Sequence, residues 1–344
     1  MKILMRILIC VFLFILSSHY SFAQDTSPVP VPARIAKFEV DLGTGVMRGH
    51  TTYQIGGDVE TASGNDRIHF SLSELKFPLD VYMASLSASA EFVERWKLAI
   101  NVKKNITRDA GKMKDSDWGI WHLGEPLLHD QNSTCSPNKC STDSLDIYSE
   151  SDAELDALII DFDFRYRFVD TAFSKTRLSF FAGIGQMYEN FSFEVSDLDQ
   201  WYPSYQDYFG IDPAHQKVSG KVLTYDIYYF IPYIRAGSAF TVMDKLGIEG
   251  SLAFSPYLKI FDEDDHILRD KVSEGELEGT AVMFSLEGRY NFSRHWSAKL
   301  GLDYMTLQAE GEQKQHTGGV HTATIDEEIT SEQLTILLKA DYSF

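Results

Sequence analysis

The feature that most constrains this chain is a series of long segments in which apolar and polar residues alternate. From residue 75 onward, Leu75, Phe77 and Leu79 fall on one face of an extended strand, and Lys76 and Asp80 fall on the other. Strands of ten residues or more are long for a globular sheet. They suit tilted strands that cross a membrane, with an apolar face toward lipid and the backbone bonded in a closed ring. The alternation therefore predicts an all-β protein that turns apolar faces toward lipid.

Ten segments of the chain follow this alternation, and an even number is typical of bacterial barrels with both termini in the periplasm. They cover residues 36–53, 67–92, 96–107, 156–168, 175–196, 221–243, 246–261, 276–292, 296–309 and 330–344. Short joins alternate with long polar joins, the latter at residues 109–155, 197–220, 262–275 and 310–329. The pattern predicts a ten-stranded antiparallel transmembrane β-barrel with long extracellular loops. The alternative is a soluble β-sandwich.

Both ends of the chain agree with this prediction. Residues 1–23 combine a positive start, an apolar run and small residues before a cleavage site, as is typical of a secretory signal peptide. The last alternating segment ends at Phe344, and a terminal aromatic residue on such a strand resembles the insertion signal of outer-membrane barrels. We therefore expect residues 1–23 to be removed and residues 24–344 to form one outer-membrane barrel.

Net charge indicates which ligands the protein can bind, and cysteine content indicates the redox state of its compartment. The formal charge of -19 becomes -21 when Lys2 and Arg6 are removed with the signal peptide. Such acidity disfavours nucleic acid and anionic ligands and favours basic ones. Cys135 and Cys140 lie close together in a polar segment, which predicts a small disulfide loop in an oxidising compartment. A metal site would need further ligands, which this segment does not offer.

Two short clusters place ionisable groups two residues apart, just beyond the alternating segments. In the first, Asp115 and Asp117 precede Trp118, and in extended backbone both carboxylates point to the same side. Two close carboxylates repel, so at least one should have a raised pKa or share a proton. The alternatives are a solvated acidic loop and a calcium site.

The second cluster contains Asp264 and His266, which again share one side of an extended segment. A carboxylate in this position can orient an imidazole and prepare it to accept a proton. The alternative is a solvated pair on the protein surface.

Taken with their surroundings, these clusters resemble the omptin family of outer-membrane proteases along nearly the whole mature chain. The matching segments are residues 45–51, Leu75-Lys76-Phe77, Asp115-Ser116-Asp117-Trp118, Pro232-Tyr233-Ile234 and Asp264-Asp265-His266. The resemblance implies that the two acidic motifs lie on opposite walls of a cleft at the outer mouth of the barrel. It also implies that His266 with Asp264 activates a water, while Asp115 and Asp117 position it and stabilise the tetrahedral intermediate. No serine or cysteine nucleophile is expected.

The chain departs from the family pattern at two places. Omptins use two acidic groups to receive a basic residue before the cut bond; one matching position is Asp262, but the other falls near Tyr53, which carries no charge. Omptins also share a lipopolysaccharide-binding patch, and the matching residues 186–190 lack its basic member. The resemblance thus implies cleavage at or near basic residues, with a weakened expectation of lipopolysaccharide as activator and no other cofactor.

The partners expected from these observations are peptide or protein substrates, basic in character, and the lipid of the outer membrane. Two other functions are compatible with a barrel of this kind. The first is an adhesin or invasion factor that acts through its long loops with little or no proteolysis. The second is a passive pore, which is disfavoured because side chains largely fill the interior of ten strands.

Overall fold

The computed structural model describes residues 36–60, 67–93, 95–118, 145–203 and 215–344, which fold almost entirely into antiparallel β-structure. The strands of these residues are β1 (Ala36–Glu60), β2 (Arg67–Pro78), β3 (Val81–Phe92), β4 (Trp96–Asn105), β5 (Asp109–Trp118), β6 (Leu145–Phe173), β7 (Thr176–Trp201), β8 (Gln216–Val242), β9 (Leu246–His266), β10 (Lys271–Asn291), β11 (Trp296–Thr317) and β12 (Val320–Ser343). One turn of 3-10 helix, Ile267–Arg269, joins β9 to β10.

The strands close into a ring because β12 pairs with β1 as well as with β11. Along its first half β1 pairs with β3, and along its second half it pairs with β2. In the same way β6 pairs with β4 near one end and with β5 near the other. β2 with β3, and β4 with β5, therefore each fill one position of the ring. The barrel has ten positions, as the alternation predicted.

The two interruptions have local chemical causes. Pro78 cannot donate a backbone hydrogen bond, and β2 ends there before β3 begins. Between β4 and β5 the side chain of Asn105 replaces the missing ladder: its Nδ2 donates to the carbonyl of Leu155 at 2.6 Å, and its Oδ1 accepts from the amide of Ala157 at 2.8 Å. The two segments on either side of each break therefore continue as one strand of the ring.

The half of the barrel near the short turns has charged side chains inside and apolar side chains outside. Leu252 and Leu338 are each 61% exposed on the outer face, whereas Lys299 is 4% exposed in the interior. Only a surrounding apolar solvent makes this arrangement favourable, so the outer face is the lipid-facing belt. Phe344 lies on this face with Leu338, as the sequence predicted. No helix among the described residues is long and apolar enough to cross a membrane.

A layer of apolar side chains fills the barrel above the charged interior. Phe77 stacks on Tyr225 at a centroid distance of 4.6 Å and packs against Phe193 at 4.8 Å. Leu75 and Leu79 belong to the same layer and are fully buried. The prediction that this apolar face contacts lipid was wrong, since it points inward and supports the groups above it.

The strands extend well beyond the lipid-facing belt, so two expected loops are mostly strand. β9 continues through residue 266 and meets β10 after the 3-10 turn, and β11 meets β12 at the two-residue turn Gly318-Gly319. Residues 109–118, expected in a loop, form β5. Beyond the belt the outer face meets water and needs no apolar residues, so alternation fades while the backbone ladder continues. The expected signal peptide and the Cys135–Cys140 disulfide lie outside the described residues.

Candidate active site

A bulge in β5 turns the first acidic pair into the barrel. Pairing with β6 skips a residue at Ala110, and Gly111 next to it has a φ of 107°, a conformation that side chains with a β-carbon rarely adopt. After this bulge the odd-numbered residues face the interior. Asp115 and Asp117 therefore point inward from the same side of β5, and Asp117 is 6% exposed.

A second bulge does the same for the other acidic motif. On β9, Ser255 pairs with Ala281 and Leu258 pairs with Gly279, so two residues of β9 oppose one residue of β10. Ser255 and Leu258 are both fully buried, which shows that the inward face changes from odd to even numbers across the bulge. Asp262 and Asp264 face the interior for this reason, while Glu263 between them is exposed.

The two motifs occupy opposite walls of the ring. Between β5 and β9 lie three strands in one direction, β6 to β8, and five in the other, β2, β1, β12, β11 and β10. Both motifs are also at the same end of the barrel, beyond the lipid-facing belt. Both motifs therefore face inward at this outer rim, near enough for the charge of His266 to act on Asp115, and the space between the two walls is called the cleft below.

On the β9 wall, His266 and Asp264 form an ion pair. His266 Nε2 lies 2.8 Å from Asp264 Oδ2, and Asp264 is fully buried. A buried carboxylate in this position can hold the orientation of the imidazole ring. The other ring nitrogen of His266 remains free to contact a group in the cleft.

On the β5 wall, burial dominates the electrostatics. Burial raises the pKa of Asp115 to about 7, with a further increase from the charge of Asp117 and a partial decrease from His266. Burial also raises the pKa of Asp117, which a hydrogen bond from Ser73 partly opposes. The charge of His266 reaches both carboxyl groups, so the two motifs influence one another across the cleft. Oδ1 of Asp115 is buried without a hydrogen-bond partner.

Two cations near the cleft were missed in the sequence. Lys271 is paired with His266 across β9 and β10, and Arg269 lies in the 3-10 turn between these strands. Burial lowers the pKa of Lys271, and the charges of Asp264, Asp117 and Asp115 act in the opposite direction. No pattern in the sequence indicated these two residues, because they lie in a segment expected to be a solvated loop.

Below the cleft, the residues matched to the substrate pocket meet a further acidic group. Tyr53 is buried, stacks on Tyr225 at 5.9 Å, and accepts a hydrogen bond from Gln313 Nε2 at 2.9 Å. Glu327, from β12, accepts a hydrogen bond from the same Gln313 atom at 3.3 Å. Tyr53 is therefore beside a carboxyl group supplied by a neighbouring strand. The run Asp326-Glu327-Glu328 was visible in the sequence, but it was assigned to a loop.

The sequence profile of the Omptin family matches residues 35–336, which is most of the chain. The chain belongs to the Omptin family. With its apolar outer belt and this membership, the omptin is an outer-membrane β-barrel. A comparison with curated protein sequences finds no match.

Among solved structures, the omptin is similar to the outer membrane protease OmpT from Escherichia coli, with a TM-score of 0.71 and 14% identity over 92% of this chain and 100% of that one. OprG from Pseudomonas aeruginosa gives a TM-score of 0.34 and 12% identity over 88% of this chain and 96% of that one. The translocator domain of NalP from Neisseria meningitidis gives 0.31 and 11% over 87% and 88%. At this identity the OmpT match shows the shared fold.

The stretch matched to a lipopolysaccharide patch does not offer its acidic residue to the outside. Glu189 is 1% exposed, faces the interior of the omptin barrel and accepts a hydrogen bond from Gln333 at 2.8 Å. Tyr188 packs on Phe230 on the other face of the sheet. Glu189 therefore cannot serve as the acidic member of such a patch on the outer face. Among the described residues, no group of three or more His, Cys, Asp or Glu is arranged to hold a metal ion.

Proposed function

We propose that this omptin is an endopeptidase of the outer membrane that hydrolyses peptide bonds at or near basic residues, with a water activated by His266 and Asp264. The observation that carries the proposal is the buried Asp264–His266 pair on the wall opposite two inward-facing carboxyl groups. The first solved structure compared above is that of an outer membrane protease, which agrees with this assignment.

In the proposed reaction His266 acts as the general base. A water between the two walls attacks the carbonyl carbon of the scissile peptide bond, and His266 takes the proton that the water loses. Asp264 stabilises the resulting imidazolium, because their ion pair gains strength when the ring is charged. The imidazolium then gives its proton to the leaving amine. No covalent intermediate with the enzyme forms.

Asp115 and Asp117 hold the attacking water and respond to the charge that develops on the carbonyl oxygen. With a pKa of about 7, Asp115 is protonated in part of the molecules near neutral pH, and its proton can be donated to an oxygen that becomes negative. The ionised member of the pair can accept a hydrogen bond from the water. Two carboxyl groups that share a proton therefore serve two roles.

The preference for basic substrates rests on the acidity of the site and of the whole chain. Asp262 is buried two residues below Asp264 on the same inward face, a separation of about 7 Å along a strand. Its carboxylate is placed to receive a cationic side chain next to the bond that is cut. The formal charge of -19 also attracts basic peptides toward the rim.

The proposal is tested with an internally quenched peptide that contains paired basic residues. Refolded wild-type protein should cleave it, and Asp115→Ala and His266→Ala should reduce kcat by roughly 10²–10⁴-fold, the range for loss of a general base or its equivalent. His316→Ala is the matched control, because this residue lies at the tip of the β11–β12 hairpin. It should retain full activity.

Full activity in both Asp115→Ala and His266→Ala would defeat the assigned mechanism. Absence of cleavage by folded wild-type protein, against a broad set of basic peptides, would favour the adhesin function instead. Cleavage without a burst phase, and without an acyl-enzyme that an added amine can trap, would support direct water attack.

A further inference from the structure

Beneath the cleft, two carboxyl groups from different strands converge over one glycine. A β-carbon added at Gly275 would collide at once with Oδ1 of Asp262 and Oε2 of Glu327. Both oxygens therefore lie directly above the same Cα on β10. The absence of a side chain at residue 275 is what leaves room for the two carboxyl groups to meet.

These groups are buried and not neutralised. Asp262 is 6% exposed and Glu327 is 2% exposed, and neither forms an ion pair with a described residue. By atomic geometry, both carboxyl oxygens of Asp262 and Oε2 of Glu327 have no hydrogen-bond partner. Tyr225 and the backbone of Gly275 are nevertheless close enough to Asp262 to lower its pKa, so the groups near Asp262 are polar but not cationic. Such groups are costly to bury unless a partner binds them.

Among the described residues that act most strongly on this pair, none is a cation. The polar side chains around it are Tyr53 on β1, Tyr225 on β8, Asp264 on β9, Gln313 on β11 and, on β12, Glu327 itself. Burial raises the pKa of Asp262 to about 6, and burial with the charge of Asp262 raises the pKa of Glu327 well above its ordinary value. The empty pair thus lowers its repulsion by keeping a proton.

We propose that Glu327 is the second acidic group of the substrate pocket and that, with Asp262, it binds the guanidinium of an arginine side chain. This inference rests on the proposed endopeptidase function and names a specificity residue on a strand that the family pattern did not indicate. A planar guanidinium has five donors and can bond to carboxylates from two directions at once, which fits oxygens that converge from β9 and β12. Entry of the cation releases the shared proton. Tyr53, the uncharged residue at the matched position, contributes the wall of the pocket.

The test compares binding of two uncleavable peptides to refolded protein by calorimetry. Each carries a neutral hydroxyethylene group in place of the scissile amide; one has arginine before it, and the other has citrulline, which keeps the shape and lacks the charge. Wild-type protein should bind the arginine peptide roughly 10–100-fold more tightly, the range for hydrogen bonds to charged groups. Glu327→Gln should abolish most of this preference. Glu328→Gln, which removes an equal charge from the next residue, should keep it, because Glu328 is turned away from the pocket and bonds to Gln308 at 2.9 Å.

Thermal unfolding of the variants separates binding from folding. Glu327→Gln removes an unpaired buried acid, so its unfolding temperature should equal or exceed that of the wild type. A preference for arginine that persists in folded Glu327→Gln would overturn the assignment of Glu327. A wild-type protein that binds both peptides equally, or neither, would overturn the pocket itself.

Cleavage of the quenched peptide is measured separately, so the two proposals can fail independently. If wild-type protein shows the Glu327-dependent preference for arginine without cleavage, the pocket stands and the endopeptidase function fails. If it cleaves while Glu327→Gln retains the preference, the endopeptidase stands and the role of Glu327 is wrong.

Discussion

Two regions of the barrel are rich in acidic residues: the interior at the level of the lipid belt and the cleft at the outer rim. They differ in whether these residues are paired with cations. In the belt interior, Lys299 lies 2.7 Å from Asp41 and 3.1 Å from Asp341, and Lys103 lies 2.9 Å from Asp303. Arg289 joins the same network through Glu39 at 2.8 Å. These carboxylates are neutralised by neighbouring cations.

At the rim, burial is similar but neutralisation is absent. Among the described residues, Asp115, Asp117, Asp262 and Glu327 form no ion pair, and Asp264 pairs only with His266. The comparison teaches that burial of acids alone does not indicate function in this protein. The two sets of acids named above differ in pairing: those of the belt interior bind cations and stabilise the barrel, whereas under the proposed function those at the rim bind a water or a substrate cation. Glu189, also buried in the interior, binds neither and accepts a hydrogen bond from Gln333.

The largest expected effect concerns the two walls of the cleft. If they act on one water, Asp115→Ala and His266→Ala should each lower kcat by roughly 10²–10⁴-fold, and the double variant should be little worse than the poorer single variant. Steady-state kinetics on the quenched peptide measures this. Asp303→Ala, which removes a paired acid of the belt interior, should leave kcat of the folded protein unchanged. Losses that multiply in the double variant would mean that the walls act independently.

The next effect concerns the paired network. Lys299→Met removes the cation that pairs with Asp41 and one of the two cations that pair with Asp341, since Arg289 stays 2.7 Å from Asp341. Removal of one partner of a buried ion pair typically costs about 3–5 kcal/mol. Urea unfolding in lipid vesicles should show this loss with kcat nearly unchanged. Lys314→Met, at an exposed position above the belt, is the control and should change stability by less than about 0.5 kcal/mol. Normal stability with lost activity in Lys299→Met would contradict the division between the two regions.

A smaller effect is expected for the pH dependence of stability. The pKa of Asp115 is raised from 3.8 to about 7 by burial first and by Asp117 second, so folding favours its protonated form. Its contribution to stability is fully present below pH 4 and is lost as the pH rises through about 7. Asp115→Asn should therefore match the wild type near pH 4 and exceed its unfolding free energy by roughly 1–3 kcal/mol at pH 8. Equal stability at both pH values would show that Asp115 is not strained in the cleft.

The smallest effect concerns the bulge that sets the direction of the β5 acids. Gly111→Ala places a β-carbon on a residue with a φ of 107°, which costs about 1 kcal/mol or more and shifts the strand that carries Asp115. We expect kcat to fall by roughly tenfold, since small displacements of positioned groups reduce the rate. Gly288→Ala is the control, because a β-carbon there has open space and an ordinary backbone. Equal activity of the two variants would show that the bulge at Gly111 does not position Asp115.

The sequence predicted the number of ring positions because the lipid belt imposes alternation on every strand that crosses it. It could not predict the ends of strands such as β9 and β11, since backbone hydrogen bonds continue in water without an apolar pattern. It also assigned the face of Leu75 and Phe77 to lipid. Alternation shows that two faces differ, but not which of them is inside.

For the site, the sequence indicated that Asp115 with Asp117, and Asp264 with His266, share a side, since residues two apart in a strand always do. It could not show that both pairs point inward, because one-residue bulges near Gly111 and Pro256 set the facing direction. Glu327 could not be found at all. It reaches Asp262 across β10 and β11, because the sheet curves between β9 and β12 and Gly275 leaves the space between them open.

If the two walls hold one water between Asp115 and His266, a crystal structure of the protein with the hydroxyethylene arginine peptide should reveal the arrangement. The hydroxyl of this peptide takes the place of the attacking water. We expect the hydroxyl to lie within about 3 Å of both the carboxyl of Asp115 and the free ring nitrogen of His266. A hydroxyl that contacts neither group, with the carboxyls of β5 turned away from His266, would contradict it.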